Sequence, residues 1–334
     1  MRKWIKIVIS FMFLLILFVV SLTLGRYKIG TIDVLRVLFS PIYLKLANGI
    51  PDIARQLVLQ VRLPRILGAL FIGAGLGGSG TAFQAIFKNP LVDSNILGVT
   101  SGAGFGAALA LLLMGSSLEV QISAFIFGLL AVLLAFFGSH LHKSTPLLIL
   151  TLMGILIGSL FNSLTALLKY VADPLDTLPA ITFWLLGSLT GITWQSLFPL
   201  AIITVLGIVF LWLIRWRLNI LSLDDQEAKT LGLDPIKMKL IIIFITTLMT
   251  AAAVSVSGVI GWVGLVIPHA GRLFVGPDHK YLLPISLIFG GAFLLIIDNI
   301  ARTLLPGEIP LGVLSGLIGV PILIALLRRS KTGW

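Results

Sequence analysis

The chain has 334 residues, 58% of them hydrophobic and 11% charged, and its mean hydropathy is +1.10. So little polar surface excludes a water-soluble globule and makes lipid the main solvent, and spans of roughly 20 residues each would leave no room for a large soluble domain. The net charge of +11 does not indicate nucleic acid, because the basic residues sit mostly at the ends of apolar runs, and the absence of cysteine excludes disulfides and thiolate chemistry.

In chain order, the first apolar run covers 5–25 behind Arg2, Lys3 and Lys6. It is long and lacks a small-residue cleavage site, so it reads as an uncleaved span rather than a signal peptide. The segment Arg26–Arg55 follows with five basic residues and would lie outside, against the usual bias of basic loops. Further runs fall at 63–87, 95–114, 119–139, 146–168, 196–214, 238–258, 259–275, 281–300 and 309–327. Region 238–275 allows two readings, one long helix or a full span followed by a short, glycine-broken one ending near Pro268–Phe274.

Basic residues flank both chain ends, which predicts two cytoplasmic termini and an even number of crossings. The expected fold is an all-α polytopic transmembrane bundle of about ten spans, forming one membrane domain over 1–334. Glycines recur inside the spans, as in 73–80 and 102–106, where they predict close helix packing more than substrate contact. A pattern L-G-V-x-S-G at 97–102 returns at 311–316, a weak hint of internal duplication.

No phosphate-binding loop G-x-x-x-x-G-K-[ST] is present, so the chain is not expected to hydrolyse ATP itself. Ionisable residues within spans are few, chiefly His269, Arg272 and Asp298, which argues against a proton relay. His269 reads as a helix-end histidine bonded to backbone, and Asp298 and Arg302 stand four apart on one helical face, where they can pair. No metal or cofactor site is expected in this chain.

The one substantial polar segment, about 216–237, carries Asp224, Asp225, Gln226, Glu227 and Lys229 ahead of Leu231-Gly-Leu-Asp-Pro235. Ser222 followed by Asp225 resembles a capping box, with Gly232 and Pro235 closing a short cytoplasmic helix. A solvated connector and a docking element for a soluble motor both fit these residues.

Val61-Arg-Leu-Pro-Arg65, Gln84-Ala-Ile-Phe-Lys-Asn-Pro-Leu91, Asn95–Gly104, Leu231-Gly-Leu233, Gly261–Leu273 and Glu308–Val313 together resemble the FecCD-type permeases. These are the membrane subunits of type II ABC importers for ferric siderophores, haem and cobalamin. The similarity runs over nearly the whole chain. It implies ten helices per subunit, pairing with itself or a paralogous permease, and a path on the dimer axis. Two ATP-binding cassette subunits would bind ATP and Mg on the cytoplasmic side, and an extracytoplasmic binding protein would deliver the cargo. The expected location is a bacterial or archaeal plasma membrane.

The resemblance also assigns roles. The coupling helix corresponds to Ser222, Asp224, Asp225, Glu227, Ala228, Leu231, Gly232 and Leu233. Arg62, Arg65 and Arg302 match arginines that dock the binding protein, with simple snorkelling at the interface as the alternative for each. Asn89 and Leu91, with Ser144 and Thr145, match cytoplasmic gates. The fifth and tenth spans would line the path, where Thr151, Ser159, Asn162, Ser163 and Thr165 offer polar groups without fixed charge. The expected function is ATP-driven import, with ferric siderophore as the first cargo and haem, cobalamin or molybdate as alternatives. An ion-coupled secondary transporter or a membrane scaffold are the competing classes.

Overall fold

A computed structural model of the chain describes residues 2–25, 27, 29–40, 49–139, 147–305 and 307–329. The described residues form α1 (Arg2–Thr23), α2 (Thr31–Phe39), α3 (Asp52–Gln56), α4 (Leu63–Phe87), α5 (Val99–Leu112), α6 (Ser117–Ser139) and α7 (Leu147–Val171). They continue with α8 (Thr177–Leu186), α9 (Trp194–Leu221), α10 (Asp225–Thr230), α11 (Pro235–Ser257), α12 (Val263–Val275), α13 (His279–Thr303) and α14 (Leu311–Arg329). Among the described residues there is no strand, as expected of an all-α bundle.

By length and composition, eight helices can cross a membrane: α1, the helix ending in α4, α6, α7, α9, α11, α13 and α14. Two further expected spans are the short apolar helices α5 and α12, of 14 and 13 residues. At 1.5 Å per residue each covers only about 20 Å of the bilayer's roughly 30 Å. The ambiguity in 238–275 resolves to the second reading, because Gly258 takes a positive φ of 69° and ends α11 before α12 begins.

Two elements were not expected. Helix α8 lies in the stretch between the fifth and sixth predicted spans, and α2 lies in the basic segment 26–55. In addition, α3 and α4 join through a π-helical turn at Leu57–Arg62 into one 36-residue helix. Pro64 supplies the cause: its ring crowds the carbonyl four residues earlier and it donates no hydrogen bond, so the helix widens just before it.

Helix α4 is the centre of the bundle, buried on nearly all sides, as an all-apolar helix must be. Its glycines set the packing distance. A Cβ on Gly73 would stand 2.2 Å from the Gly290 carbonyl oxygen of α13, and one on Gly80 would stand 2.1 Å from the Gly264 carbonyl oxygen of α12. The packing expectation for these glycines therefore holds. The two copies of L-G-V-x-S-G sit at the starts of α5 and α14.

Non-helical backbone meets at one place. Ser188 N–H donates to the Ser257 carbonyl at 2.8 Å, and Leu311 N–H donates to the Gly187 carbonyl at 2.9 Å. The end of α8, the break between α11 and α12 and the start of α14 thus satisfy one another, which is how irregular backbone survives at membrane depth.

Candidate functional site

Three places bear on function: the exposed face of α7, the polar cluster around α10, and the arginine cluster at the opposite end of the bundle.

Helix α7 has two unlike faces. Gly154 and Gly158 press against the turn Ser94–Leu97 and Gly98, where a Cβ on Gly154 would come within 2.5 Å of the Ile96 carbonyl oxygen. On another face Ser159, Asn162 and Ser163 are exposed among Ile155, Leu156, Leu160 and Leu167. Three uncovered polar side chains halfway along a membrane helix are unfavourable against hydrocarbon. They suit a water-filled cavity or a second polypeptide. Thr151 is half-buried and donates to the Leu147 carbonyl at 2.8 Å, and Thr165 is buried, with its hydroxyl returned to the Phe161 carbonyl at 2.8 Å. Of the expected path residues, then, Ser159, Asn162 and Ser163 are the ones presented.

Around α10 the expected short helix is present, but its cap differs from the expectation. The Ser222 hydroxyl donates back to the Leu218 carbonyl at 2.9 Å, so it finishes α9 and makes no capping box with Asp225. Asp224 is the N-cap instead, accepting from Asp225 N–H at 2.8 Å. Gly232, at φ 78°, closes the helix, with Leu233 N–H donating to the Ala228 carbonyl at 3.1 Å. Pro235 does not close α10; it opens α11 behind Asp234, which accepts from Ile236 and Lys237 N–H at 3.1 Å.

Asp225 turns toward the membrane helices. It accepts from Lys239 Nζ at 2.7 and 2.8 Å, and Lys88 Nζ at the end of α4 lies 3.4 Å away. Ala228 is buried beneath α10, while Leu231, Leu223 and Ile236 remain exposed around it. The helix is thus tied to α4 and α11 on one side and shows apolar groups on the other. A cleft of about 400 Å³ lined by Phe87, Lys88, Leu147, Asp225, Lys239 and Ile243 lies beside it. Partial burial opposes ionisation of Asp225, but the bonds from Lys239 and the charge of Lys88 outweigh it and hold the carboxyl below its usual range. A lowered value means that its stabilising effect is complete at neutral pH and is lost only as pH falls through that value. Asp225→Asn is therefore expected to change thermal stability by about 1 kcal/mol or less, since the pair is partly exposed. On the expectation that α10 meets the cassette subunits, transport-linked ATPase turnover should fall severalfold in this variant. The swap Asp225→Lys with Lys239→Asp should recover part of the loss.

Of the residues expected to form gates, Asn89 and Leu91 are both exposed in the turn after α4, where Asn89 Oδ1 accepts from Leu91 N–H at 2.9 Å. Ser144 and Thr145 lie outside the described residues. Nearby, Arg272 Nη2 donates to Gln84 Oε1, and Gln84 Nε2 donates to the Gly264 carbonyl at 3.3 Å. The motifs at 84–91 and 261–273 are thus one packed unit. His269 is buried in the middle of α12 rather than at a helix end, and its backbone partner is Leu326 of α14.

At the other end, Arg62, Arg65 and Arg302 are only 3%, 7% and 6% exposed. Arg62 donates to the Leu22, Thr23 and Tyr27 carbonyls at 2.7, 3.3 and 2.5 Å, satisfying the end of α1. Arg65 donates to Asp298 Oδ1 from Nε and Nη2 at 2.9 and 2.8 Å, and to both Glu308 oxygens at 2.9 Å. Arg302 donates to the Ser21 carbonyl and to Asn299 at 2.5 Å, and its Nε lies 3.7 Å from Asp298. The expected Asp298–Arg302 pair therefore exists, but Arg65 is the closer partner. These arginines fasten α1, α4, α13 and the following loop together, and the member of the cluster that meets solvent is Glu308, with 30% of its side chain exposed. In the sequence Glu308 stands out only as part of a motif and not as a partner of Arg65, and Lys88 and Lys239 are equally silent about Asp225. Among the described residues no three His, Asp or Glu side chains form a cluster suited to a metal.

The FecCD transport family model matches residues 13–329. The molybdate import system permease protein MolB of Haemophilus influenzae is 40% identical over 96% of this chain and 94% of its own length. A probable iron chelatin transport system permease of Helicobacter pylori is 39% identical, covering 82% of this chain and 83% of its own. A solved structure described as an inward-facing, metal-chelate type ABC transporter superposes with a TM-score of 0.87 at 39% identity, over 97% of this chain and 99% of that one. With its motifs packed as one unit and its helices matched nearly end to end, the chain belongs to the FecCD transport family and is a permease subunit of an ABC importer.

Proposed function

We propose that this permease forms, with a second permease subunit, an ATP-driven import path for a metal-bearing solute, with a ferric chelate as the first cargo. The observation that carries the reading is the exposed polar face of α7 at Ser159, Asn162 and Ser163, which lipid alone would not tolerate. A polar lining without fixed charge lets a large solute pass without holding it, leaving selection to a binding protein. Molybdate is the second reading, supported by the 40% identity to MolB over 96% of this chain.

The chain supplies path and coupling, and its partner cassette subunits bind and hydrolyse ATP. They dock on α10 and its exposed Leu223, Leu231 and Ile236, at the cytoplasmic side of a plasma membrane with both termini inside. The Asp225–Lys239 and Asp225–Lys88 pairs then transmit movement of α10 to α11 and α4. The binding protein docks at the opposite end. Because the three arginines are buried, they serve docking by holding the rim that carries Tyr27, Leu304, Leu305 and Glu308, rather than by direct salt bridges.

Reconstitution into proteoliposomes with the cassette and binding-protein partners tests this. Uptake of ferric siderophore should require internal ATP; molybdate uptake in its place would select the second reading, and proton-driven uptake without the cassette would overturn both. The cysteine-free chain allows a direct test of the path. Asn162→Cys and Ser163→Cys should react with a membrane-impermeant thiol reagent, and turnover should alter the rate. Leu206→Cys and Leu213→Cys, exposed on α9, should not react. Failure of the α7 cysteines to react, as expected of the α9 pair, would place α7 against lipid and sink the assignment.

A further inference from the structure

A groove of about 460 Å³ runs between α1, α12, α13 and α14. Its walls are almost wholly apolar, formed chiefly by Ile9, Phe13, Ile267, Phe289, Phe293 and Ile322. One end is closed by charge. Lys6, one turn before Ile9 on α1, donates from Nζ to the Phe274 carbonyl at 2.6 Å and lies 4.7 Å from the Phe274 ring, itself a wall of the groove. Lys3 and Lys280 lie 5.1 and 5.5 Å from the Tyr281 ring beside it. The facing carboxylate is Asp278, already taken by Asn219 Nδ2 and Lys280 N–H at 2.9 Å. Lys6 therefore stands at one end of an apolar slot with room for much of an acyl chain, with Lys3 one turn before it on α1 and Lys280 on the Tyr281 ring that Lys3 also meets.

We infer that this groove holds an anionic phospholipid, its acyl chain along Phe289 and Phe293 and its phosphate between Lys3 and Lys6. The charge pattern selects this occupant. A detergent-like or zwitterionic molecule would fill the apolar part but gain nothing from the excess of lysine, whereas a basic pocket between membrane helices at an interface attracts anionic headgroups. The lysines also reach it from the correct level, because long side chains at helix ends extend to the headgroup region. The bound lipid joins α1 to α12 and α14 across a gap that side chains leave open. The inference needs only that the chain spans a bilayer and is independent of cargo.

Native mass spectrometry of the full chain, with equimolar dioleoyl phosphatidylglycerol and dioleoyl phosphatidylcholine, tests it. Wild type should retain the glycerol lipid preferentially. Lys3→Gln with Lys6→Gln should weaken that retention by roughly fivefold per lysine without changing choline-lipid binding. Lys3→Arg with Lys6→Arg, which keeps the charge, should retain the preference, as should Lys237→Gln, outside the groove. Ala270→Phe, which fills the groove, should reduce both lipids. Equal retention of the two lipids by wild type, an undiminished preference in the double Gln variant, or lipid-free dimers in which a second copy covers the groove would each overturn the inference.

Discussion

Arg65→Ala is expected to remove most of the folded protein from detergent extracts, as seen by size-exclusion chromatography of a fluorescent fusion. Asp298 is fully buried and takes two hydrogen bonds from Arg65, at 2.9 and 2.8 Å. Removing one partner of a buried ion pair leaves an uncompensated charge, at a loss of about 3–5 kcal/mol. Arg302, 3.7 Å from Asp298, compensates only partly. Arg65→Lys should fail nearly as badly, because a single ammonium cannot fork to both Asp298 and Glu308. Arg65→Met with Asp298→Leu should recover only part of the folded fraction, since the apolar pair has no charge to solvate but Arg302 loses its carboxylate and keeps only the Ser21 carbonyl and Asn299. Glu308, partly exposed, can be hydrated in that variant. Full stability of Arg65→Ala would show that the cluster holds nothing together, and the rim proposed for docking would lose its support.

The second large effect lies at the centre of the bundle. Gly80→Val and Gly290→Val should each lower the midpoint of thermal unfolding sharply and reduce insertion. In the latter a Cβ would stand 2.1 Å from the Gly73 carbonyl oxygen, a backbone atom that cannot move aside. Overpacking of this kind is destabilising by about 1–3 kcal/mol, and here two helices must separate to relieve it. Gly191→Ala is the control, because a Cβ added there would meet nothing within 4 Å and its φ is ordinary. If all three variants melted together, backbone contact would not be what sets the position of α4 against α12 and α13.

The contrast between α4 and α7 explains how a permease combines rigidity with a path. Helix α4 is buried on nearly all sides, with glycines in contact with α12 and α13, whereas α7 uses glycine on one face and leaves hydroxyls and an amide on another. The first holds the scaffold, and the second is free to face a cavity or a second subunit. Between them, α10 is fixed to α4 and α11 by Asp225, the connection through which the proposed coupling would act.

Much was legible from the chain alone. Apolar runs bounded by charge located the long helices, because a span must present some 20 apolar residues whatever it packs against. The glycine strings announced close packing, Leu231-Gly-Leu233 located α10, and the ordered motifs carried the family. Other features were not legible. Helix α8 is too short for a span signal and is defined by the backbone junction at Gly187. The π turn before Pro64 follows from Pro inside a continuous helix, which composition does not announce.

Side-chain partners were the larger gap. Asp225 looked like the end of a capping box with Ser222, yet it meets Lys239 and Lys88, the latter 137 positions away, and Arg65 meets Asp298 and Glu308, more than 230 positions away. Local periodicity and transfer free energy are properties of a segment, and they determined from sequence which stretches enter the membrane as helices. Which polar groups pair once there depends on how the helices cross, and in a low-dielectric interior each buried charge must find its partner wherever the fold brings one. Tertiary structure alone therefore decided that Arg62, Arg65 and Arg302 are internal fasteners and that Ser159, Asn162 and Ser163 are left facing outward.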